Sequence, residues 1–522
     1  MAHTLEDSNL AVQTCEVCII GAGVSGLNAL FAAAQYLQPT DKVVLIDRNE
    51  EAGGMWTQVY DFCRLHQPHP SFTVGNMNWN WSKPREYLAT AHEVKAHLQS
   101  CYETLRHSVD VEQLFGHTVT ECEEIPARKG AIARVTVHPN GSEGERRIIE
   151  ARRVIKAYGY DVPQPEPITF ESSRIVSTTP QLLGASADLD DRAPIYVVGG
   201  GKTGMDTCLA VLDRLPKRPL KLINGTGSVF AERGKFFPRG ARRWWDGHMV
   251  TRVFRDQAML FDGTNEDEAF YHFRRNYTVG LAGAQQQFFF GILSEEERRD
   301  IANGVDEIFN EYLVDVVDTA DGPEMVFRSG ERRSVEPGSV FINCTGHLMR
   351  HQHADEPYLS EHGAILTITP RSMVHFLSSA AAYFLTHLMF LEKLRDLPLY
   401  AFDGETMAAK NNHVYHTSLI SLTFMNMVTM MQVLPFAIVN GCGLDFDRLY
   451  PLPRRALVLI DIKLRGQRYV SQCRKALDRV SQRFGVRCGR LPTQTGSRSE
   501  RVGVVDRNKA EAKLQPLSLA RQ

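Results

Sequence analysis

The sequence predicts an α/β fold of two Rossmann-like dinucleotide-binding domains, the second inserted in the first, followed by a helical C-terminal region. Two stretches carry this reading. CIIGAGVSGLNA holds Gly21, Gly23 and Gly26, and IYVVGGGKTGMDT holds Gly199, Gly201 and Gly204. Each follows a short apolar run that reads as a strand and opens a segment that reads as a helix. A third observation supports the first unit: its second strand, KVVLID, ends in Asp47, about 20 residues past the glycines, where a carboxylate suits ribose hydroxyls.

The three glycines do different work. The first permits the tight turn out of the strand, the second lets backbone approach a pyrophosphate, and the third lets helix and strand pack closely. The phosphates then meet free N–H groups at a helix N-terminus. In the second unit the strand LKLIN ends at Asn224 with no acid, and Arg233, Lys235, Arg239, Arg242 and Arg243 follow. A missing carboxylate and nearby guanidinium groups favour a 2′-phosphate, so NADPH is expected, with NADH the weaker fit.

Length and composition bound the rest. The 522 residues suffice for two or three domains, with 43% apolar and 23% charged residues. A formal net charge of −2 gives no global field for nucleic acid. The N-terminus lacks the basic start and apolar stretch of a secretory signal, so a cytoplasmic location is expected. Cys15 and Cys18 form a C-x-x-C within a strand and read as packing residues of a reducing compartment. Residues 373–391 and 419–439 are apolar but carry polar groups, and read as buried or interface helices rather than integral membrane spans.

Domain limits follow the motifs. Residues 12–190 and 335–395 read as the first, discontinuous domain, and 191–334 as the second, with an aromatic-rich insertion over 229–313. Residues 396–488 read as helical and 489–522 as a disordered tail, with seven Lys or Arg against three Asp or Glu. A helix is expected over 84–107, a strand meander over 117–160, and a strand MVHFLSS leading into a helix near Ser379. The chain is expected to return to the first domain near residue 340.

Taken together, these motifs resemble the two-dinucleotide-binding-domain flavoproteins, and within them the flavin-containing and Baeyer–Villiger (class B) monooxygenases. LIDRNEEAGGMW is similar to the family's acid followed by Gly-Gly-x-Trp, GGGKTGMD to its NADPH site, and SVFINCTGHL, with Thr345 and Gly346, to its Ala-Thr-Gly strand. The resemblance spans roughly residues 15–395. It implies FAD in the first domain, held by Gly21, Gly23, Ser25, Gly26, Asp47, Arg48, Gly54, Met55 and Trp56, with Ser378 and Ser379, and further cofactor-binding positions at Thr345 and Gly346 on the linker strand. It implies NADPH in the second, on Gly199, Gly201, Lys202, Thr203 and Gly204. In FESSRIVS, Phe170 and Ser177 match the family's linker, while Ser172 and Val176 stand where glycine and histidine are usual.

The implied reaction takes hydride from NADPH onto FAD and inserts one atom of molecular oxygen into a small organic substrate through a flavin C4a-(hydro)peroxide. The loop RLHQPHPSFTVGN faces the flavin ring in the family. Gln67 is the candidate amide that steadies the oxygen adduct, Asn76 is the second candidate, and His66 and His69 are candidate proton carriers. The same loop also reads as plain packing beneath the ring. Phe288–Phe290 and Trp244–Trp245 read either as pocket lining or as interior packing. His347, His351 and His353 have spacing compatible with a metal, but no acid or cysteine set completes them and no metal is expected. The alternative is an NAD(P)H-dependent reductase, dehydrogenase or oxidase without oxygen transfer. Substrate class, and whether the chain forms an oligomer, stay open.

Overall fold

The computed structural model describes residues 12–128, 130–142, 144–159, 164–183, 192–281, 283, 287–346 and 354–491. The first sheet opens with strand β1 (Val12–Ile20), helix α1 (Val24–Ala34) and strand β2 (Lys42–Asp47). Helix α2 (Ala91–Arg106) follows. It starts later than residue 84 because Thr90 and Glu93 form a reciprocal capping box that sets its first turn. Strands β3 (Asp110–Phe115), β4 (His117–Pro126), β5 (Ala131–Pro139) and β6 (Arg147–Lys156) complete the expected meander. The order is β3-β2-β1-β6-β5-β4. β1, β2, β3 and β6 run parallel, and β4 and β5 fold back antiparallel.

The second sheet contains β7 (Val176–Thr178), β8 (Ile195–Val198) and, after helix α3 (Lys202–Arg214), β9 (Leu220–Ile223). From there the chain makes β10 (Ser228–Glu232), α4 (Arg233–Phe236), α5 (Val250–Leu260), α6 (Glu266–Tyr277), β11 (Thr278–Gly280) and β12 (Gln287–Leu293). Then come α7 (Glu295–Gly304), β13 (Glu307–Phe309), the hairpin strands β14 (Leu313–Thr319), β15 (Gly322–Phe327) and β16 (Arg332–Ser334), and β17 (Val340–Asn343). The parallel order is β13-β9-β8-β17-β7.

This pairing corrects the expected boundaries. β17 lies between β8 and β7, so residues near 340 belong to the second sheet, as do residues 176–178. The chain regains the first sheet only at β18 (Ile365–Thr367), which pairs with the end of β6. Main-chain hydrogen bonding between strands far apart in sequence decides this. MVHFLSS is not a strand: Met373 makes a single bridge to Phe402, and helix α8 (Ser378–Phe390) follows.

The C-terminal region holds β19 (Tyr400–Phe402), α9 (Gly404–Lys410), α10 (Asn412–Met431), α11 (Phe436–Asn440), α12 (Leu452–Phe484) and β20 (Cys488–Arg490). It is not a separate appendage. Phe254, Phe270 and Phe273 of the insertion share one apolar core with Leu419, Phe424, Cys473 and Leu477 of α10 and α12. α8 and α10 are the two apolar segments singled out above, and both are largely buried. Among the described residues no helix is long and apolar enough to cross a membrane. Cys15 is partly buried and Cys18 fully, both as free thiols, and burial pushes Cys15 up to about 12. Of the expected tail, residues 492–522 lie outside the described residues, as does the His347, His351 and His353 triplet.

Candidate functional site

Each glycine turn is shaped by what surrounds it. Gly21 has φ of +107°, and a Cβ there would stand 2.6 Å from the Ala157 carbonyl oxygen. A Cβ on Gly26 would overlap the Gly21 carbonyl oxygen, because α1 lies close over β1. Gly54 packs on Gly23, and the Gly53 amide donates to the Ala22 carbonyl at 3.0 Å, so the Gly-Gly-Met-Trp loop closes over the turn. Met55 is exposed, and Trp56 meets Phe72 edge-on at 5.8 Å. Asp47 accepts from the Ala22 amide at 2.5 Å and from the Asn49 amide at 2.8 Å. Burial pushes its carboxyl up, against those amides. Arg48 is exposed beside it.

Two helix N-termini converge at this turn. The Ser25 hydroxyl, in the first turn of α1, lies 3.1 Å from that of Ser378, the first residue of α8. Neither helix has a side-chain cap: Gly23 and Leu377 occupy the cap positions. Both therefore keep free N–H groups and the positive end of the dipole. Ser379 is buried one residue further on.

The second turn repeats the pattern. Gly199 has φ of +126° and its Cβ would stand 2.7 Å from the Cys344 carbonyl oxygen, and a Cβ on Gly204 would overlap the Gly199 carbonyl oxygen. A Cβ on Gly201, the uncapped cap position of α3, would meet nothing within 4 Å. Thr345, held by its amide and hydroxyl on Asn343, and Gly346 follow Cys344 beside this turn. They therefore flank the second fingerprint, not the first, because β17 is in the second sheet.

The two units meet at the start of α3. Lys202 pairs with Asp206, and Asp206 accepts from the buried Tyr60 hydroxyl at 3.0 Å, which Thr203 also faces. Arg214 pairs with Asp61 at 3.0 Å. Arg233 donates to the His66 carbonyl at 2.8 Å and pairs with Glu297 at 3.0 Å. Burial opposes the Glu297 carboxylate, but Arg233 and Lys202 outweigh it and hold its pKa below the ordinary range. None of Tyr60, Asp206 or Glu297 was singled out from sequence. The Ser294/Glu297 capping box of α7 was a legible signal for that helix start, not for this role.

His66 and the half-buried Gln67 thus lie on the loop that touches the second unit. Burial, reinforced by Lys202 and Arg233, lowers the His66 pKa well below its ordinary value, so the ring is neutral near pH 7. His69 turns into a different environment: Trp81 and Trp79 stand edge-on at 5.0 and 5.5 Å and its Nδ1 reaches the Tyr87 carbonyl at 3.2 Å. Burial lowers its pKa too, which fits packing better than proton transfer. Asn76 is exposed, on a turn whose Gly75 amide donates to Asn28 in α1 at 2.9 Å. The structure does not bring it to Gln67.

The basic residues expected to read a 2′-phosphate are engaged elsewhere. Besides Arg233, Lys235 donates to the Asn276 carbonyl, Arg239 faces Glu296, Arg242 pairs with Asp246 and Arg243 with Glu86. Beside the Asn224 loop stand other groups. Thr226 and Tyr312 share a hydroxyl contact at 3.0 Å, and the exposed Arg328 guanidinium lies 4.2 Å over the Tyr312 ring. FESSRIVS is an edge: Val176 pairs with Val340, and Ser172 donates to Asp318 at 2.6 Å.

An apolar cavity of about 150 Å³, open to solvent on one side, lies between α5, α8, α10 and α12. His375, Phe376, Ala380 and Phe384 line it from the first turns of α8 and just before them. Phe376 contacts Phe254 at 5.2 Å and Phe290 at 5.8 Å. Phe288 is interior packing, whereas Trp244 and Trp245 are neither lining nor packing: they are 59% and 71% exposed.

The profile of the pyridine nucleotide-disulphide oxidoreductase family matches residues 15–230. Uncharacterized proteins of Mycobacterium bovis and Mycobacterium tuberculosis are 30% identical over 204 residues, 37% of this chain and 35% of theirs. The match thus spans about a third of those relatives' length. Among solved structures, the chain is similar to an ornithine N-hydroxylase of Kutzneria sp. 744 (14% identity, 74% of this chain, 99% of that one, TM-score 0.48). It is also similar to an ornithine hydroxylase of Pseudomonas aeruginosa (15%, 74%, 100%, 0.46) and a bacillithiol disulfide reductase of Staphylococcus aureus (10%, 74%, 99%, 0.43). Both glycine turns are seated in parallel βαβ units, so the chain has two dinucleotide-binding domains, the first of them within the stretch that matches the pyridine nucleotide-disulphide oxidoreductase family.

Proposed function

We propose that this chain is an FAD-dependent, NADPH-consuming monooxygenase acting on a small, largely apolar organic molecule. The observation that carries the reading is the pair of dinucleotide cradles joined through one loop. The uncapped α1 and α8 termini meet at Ser25 and Ser378, the uncapped α3 terminus stands open at Gly201, and the His66–Gln67 segment bridges them through Arg233. Such termini suit pyrophosphate groups. The chemistry that FAD would supply here is acceptance of hydride from NADPH and, in its reduced form, activation of dissolved molecular oxygen, one atom of which goes to the substrate and the other to water.

The chain's own residues do the rest. Ser25, Ser378 and the amides of both helix starts would hold the FAD diphosphate, with Asp47 fixing the turn beneath the ribose. Gly201, Lys202 and Thr203 would hold the NADPH diphosphate, and Arg328, stacked on Tyr312 beside Thr226, the 2′-phosphate. The neutral His66 and the amide of Gln67 would orient polar groups at the ring without adding charge. The apolar lining of the cavity beside α8 would favour an apolar substrate. The ten free thiols suit a reducing, cytoplasmic setting.

One observation favours a reductase or oxidase instead: the segment that carries a histidine in the family is here pinned as an edge strand through Val176. Oxygen-dependent NADPH oxidation, with oxygenated product and hydrogen peroxide both quantified over a panel of apolar amines, sulfides and ketones, decides between them. Product formation supports the monooxygenase. Peroxide alone with every compound supports the oxidase.

A further inference from the structure

Fourteen large apolar side chains are exposed among the described residues, and seven of them lie on α12 or on the two segments tied to it. Leu452, Leu457, Ile460 and Leu464 lie on the first half of α12, Phe436 opens α11, and Trp244 and Trp245 follow α4, all 54–79% exposed. They are tied together structurally. Arg454 donates to the Arg243 carbonyl at 2.8 Å and the Gly247 carbonyl at 3.1 Å, which fixes the tryptophan loop against the start of α12. Phe436 lines the apolar cavity together with Val458, Leu459 and Ile462 of α12. Leu457, Ile460 and Leu464 recur three and four residues apart, on one helical stripe. α12 is therefore a wall, with one face lining the cavity and the opposite face outside, and Phe436, both exposed and lining, stands at the cavity's rim.

The charge around the stripe is predominantly basic. Residues 452–468 contain Arg454, Arg455, Lys463, Arg465 and Arg468 against Asp461 alone, and Lys463 and Arg468 are exposed beside the stripe. Exposed aliphatic groups in a basic frame, with paired tryptophans at the border, suit the headgroup region of an anionic bilayer. A soluble monomer rarely leaves so much apolar surface in one patch.

We infer that this face docks on the surface of an anionic lipid membrane, with α12 lying along the interface and no segment crossing it, so that the apolar cavity takes its occupant from the bilayer. The docking itself stands on the surface alone. That the occupant is a substrate rests on the proposed function.

The test uses the full chain as purified, without NADPH or turnover, so a failure of the flavoenzyme reading does not move its readout. Vesicles of phosphatidylglycerol with phosphatidylcholine, and of phosphatidylcholine alone, are sedimented with wild type, with Leu457→Glu/Leu464→Glu, and with Trp244→Phe/Trp245→Phe. The wild type is expected to bind the anionic vesicles and to bind the neutral ones more weakly. The double glutamate variant is expected to lose roughly 100-fold in partition, two aliphatic side chains no longer entering the interface, with an unchanged melting temperature because both positions are exposed. Tryptophan fluorescence should be quenched by brominated lipid in the wild type and much less in the phenylalanine variant. Three results would overturn the inference. The wild type does not sediment with either vesicle. Binding is indifferent to the glutamates and disappears only with Lys463→Glu/Arg468→Glu, which marks adsorption by charge alone. Or the wild type is a dimer that the glutamates split, without vesicle binding, which assigns the face to a second copy of the chain.

Discussion

Gly201→Ala separates a dinucleotide site from a merely structural turn. The added methyl would meet no atom within 4 Å, and the residue occupies the cap of α3 with φ of −81° and ψ of −176°, where alanine fits. The cost to folding is the loss of glycine at a cap, under about 1 kcal/mol. The same methyl would stand where a pyrophosphate must approach the α3 amides. Pushing the diphosphate away weakens one or two charge-assisted hydrogen bonds, about 1.5–3 kcal/mol each. The dissociation constant for NADPH should therefore rise roughly 10- to 100-fold. Calorimetry with NADPH, FAD content by absorbance and a thermal melt form the assay. FAD content and melting should hold while NADPH affinity falls. Gly204→Ala provides the contrast: its methyl overlaps the Gly199 carbonyl, so it should lower the melting temperature itself. Unchanged NADPH affinity in Gly201→Ala, or loss of FAD along with it, would refute the assignment of the two turns to two cofactors.

Three further outcomes are expected. Gln67→Ala should leave flavin reduction by NADPH intact and shift the ratio of peroxide to oxygenated product roughly ten- to a hundredfold towards peroxide, as a hydrogen bond of about 1–3 kcal/mol is lost in a dry site; unchanged coupling rejects Gln67. Arg328→Gln should weaken 2′,5′-ADP binding about tenfold or more and leave 5′-AMP binding unchanged, and equal losses for both would remove Arg328 from the phosphate site. Acid should destabilise the protein between about pH 6.5 and 3. Burial lowers His97, His375 and His387 to about 4 and His416 to about 3, so the unfolded chain takes up protons first and stability falls as pH falls, by about 3 kcal/mol per histidine. His416→Phe, which replaces a ring walled by Phe270, Phe273, Phe288 and Phe290, should flatten that acid limb in melts run across the range; an unchanged slope contradicts the assignment.

Both glycine turns were legible in the sequence because they are local. A φ that excludes a Cβ at Gly21 and Gly199, and a helix pressed onto its own preceding strand at Gly26 and Gly204, leave glycines at fixed spacing. KVVLID is likewise observed from Lys42 to Asp47. What failed depended on distant pairing. Nothing near Val340 says that it will lie between β7 and β8, and the run of arginines after Asn224 reads as a phosphate site until Glu297, Glu86 and Asp246 are found holding three of them. The insertion and the C-terminal helices share a core only because Phe270 and Phe273 meet His416 across some 140 residues of chain. Trp244 and Trp245 carried apolar character without any local sign that they face outward.

The most direct measurement is an anaerobic titration of the purified chain with NADPH, followed by admission of oxygen with product and peroxide counted. The account predicts a yellow protein with one FAD per chain, bleached by one equivalent of NADPH and restored by oxygen with part of the reducing equivalents recovered in oxygenated product. A colourless protein that stays colourless after FAD is added, or bound FAD that NADPH does not reduce, would contradict it.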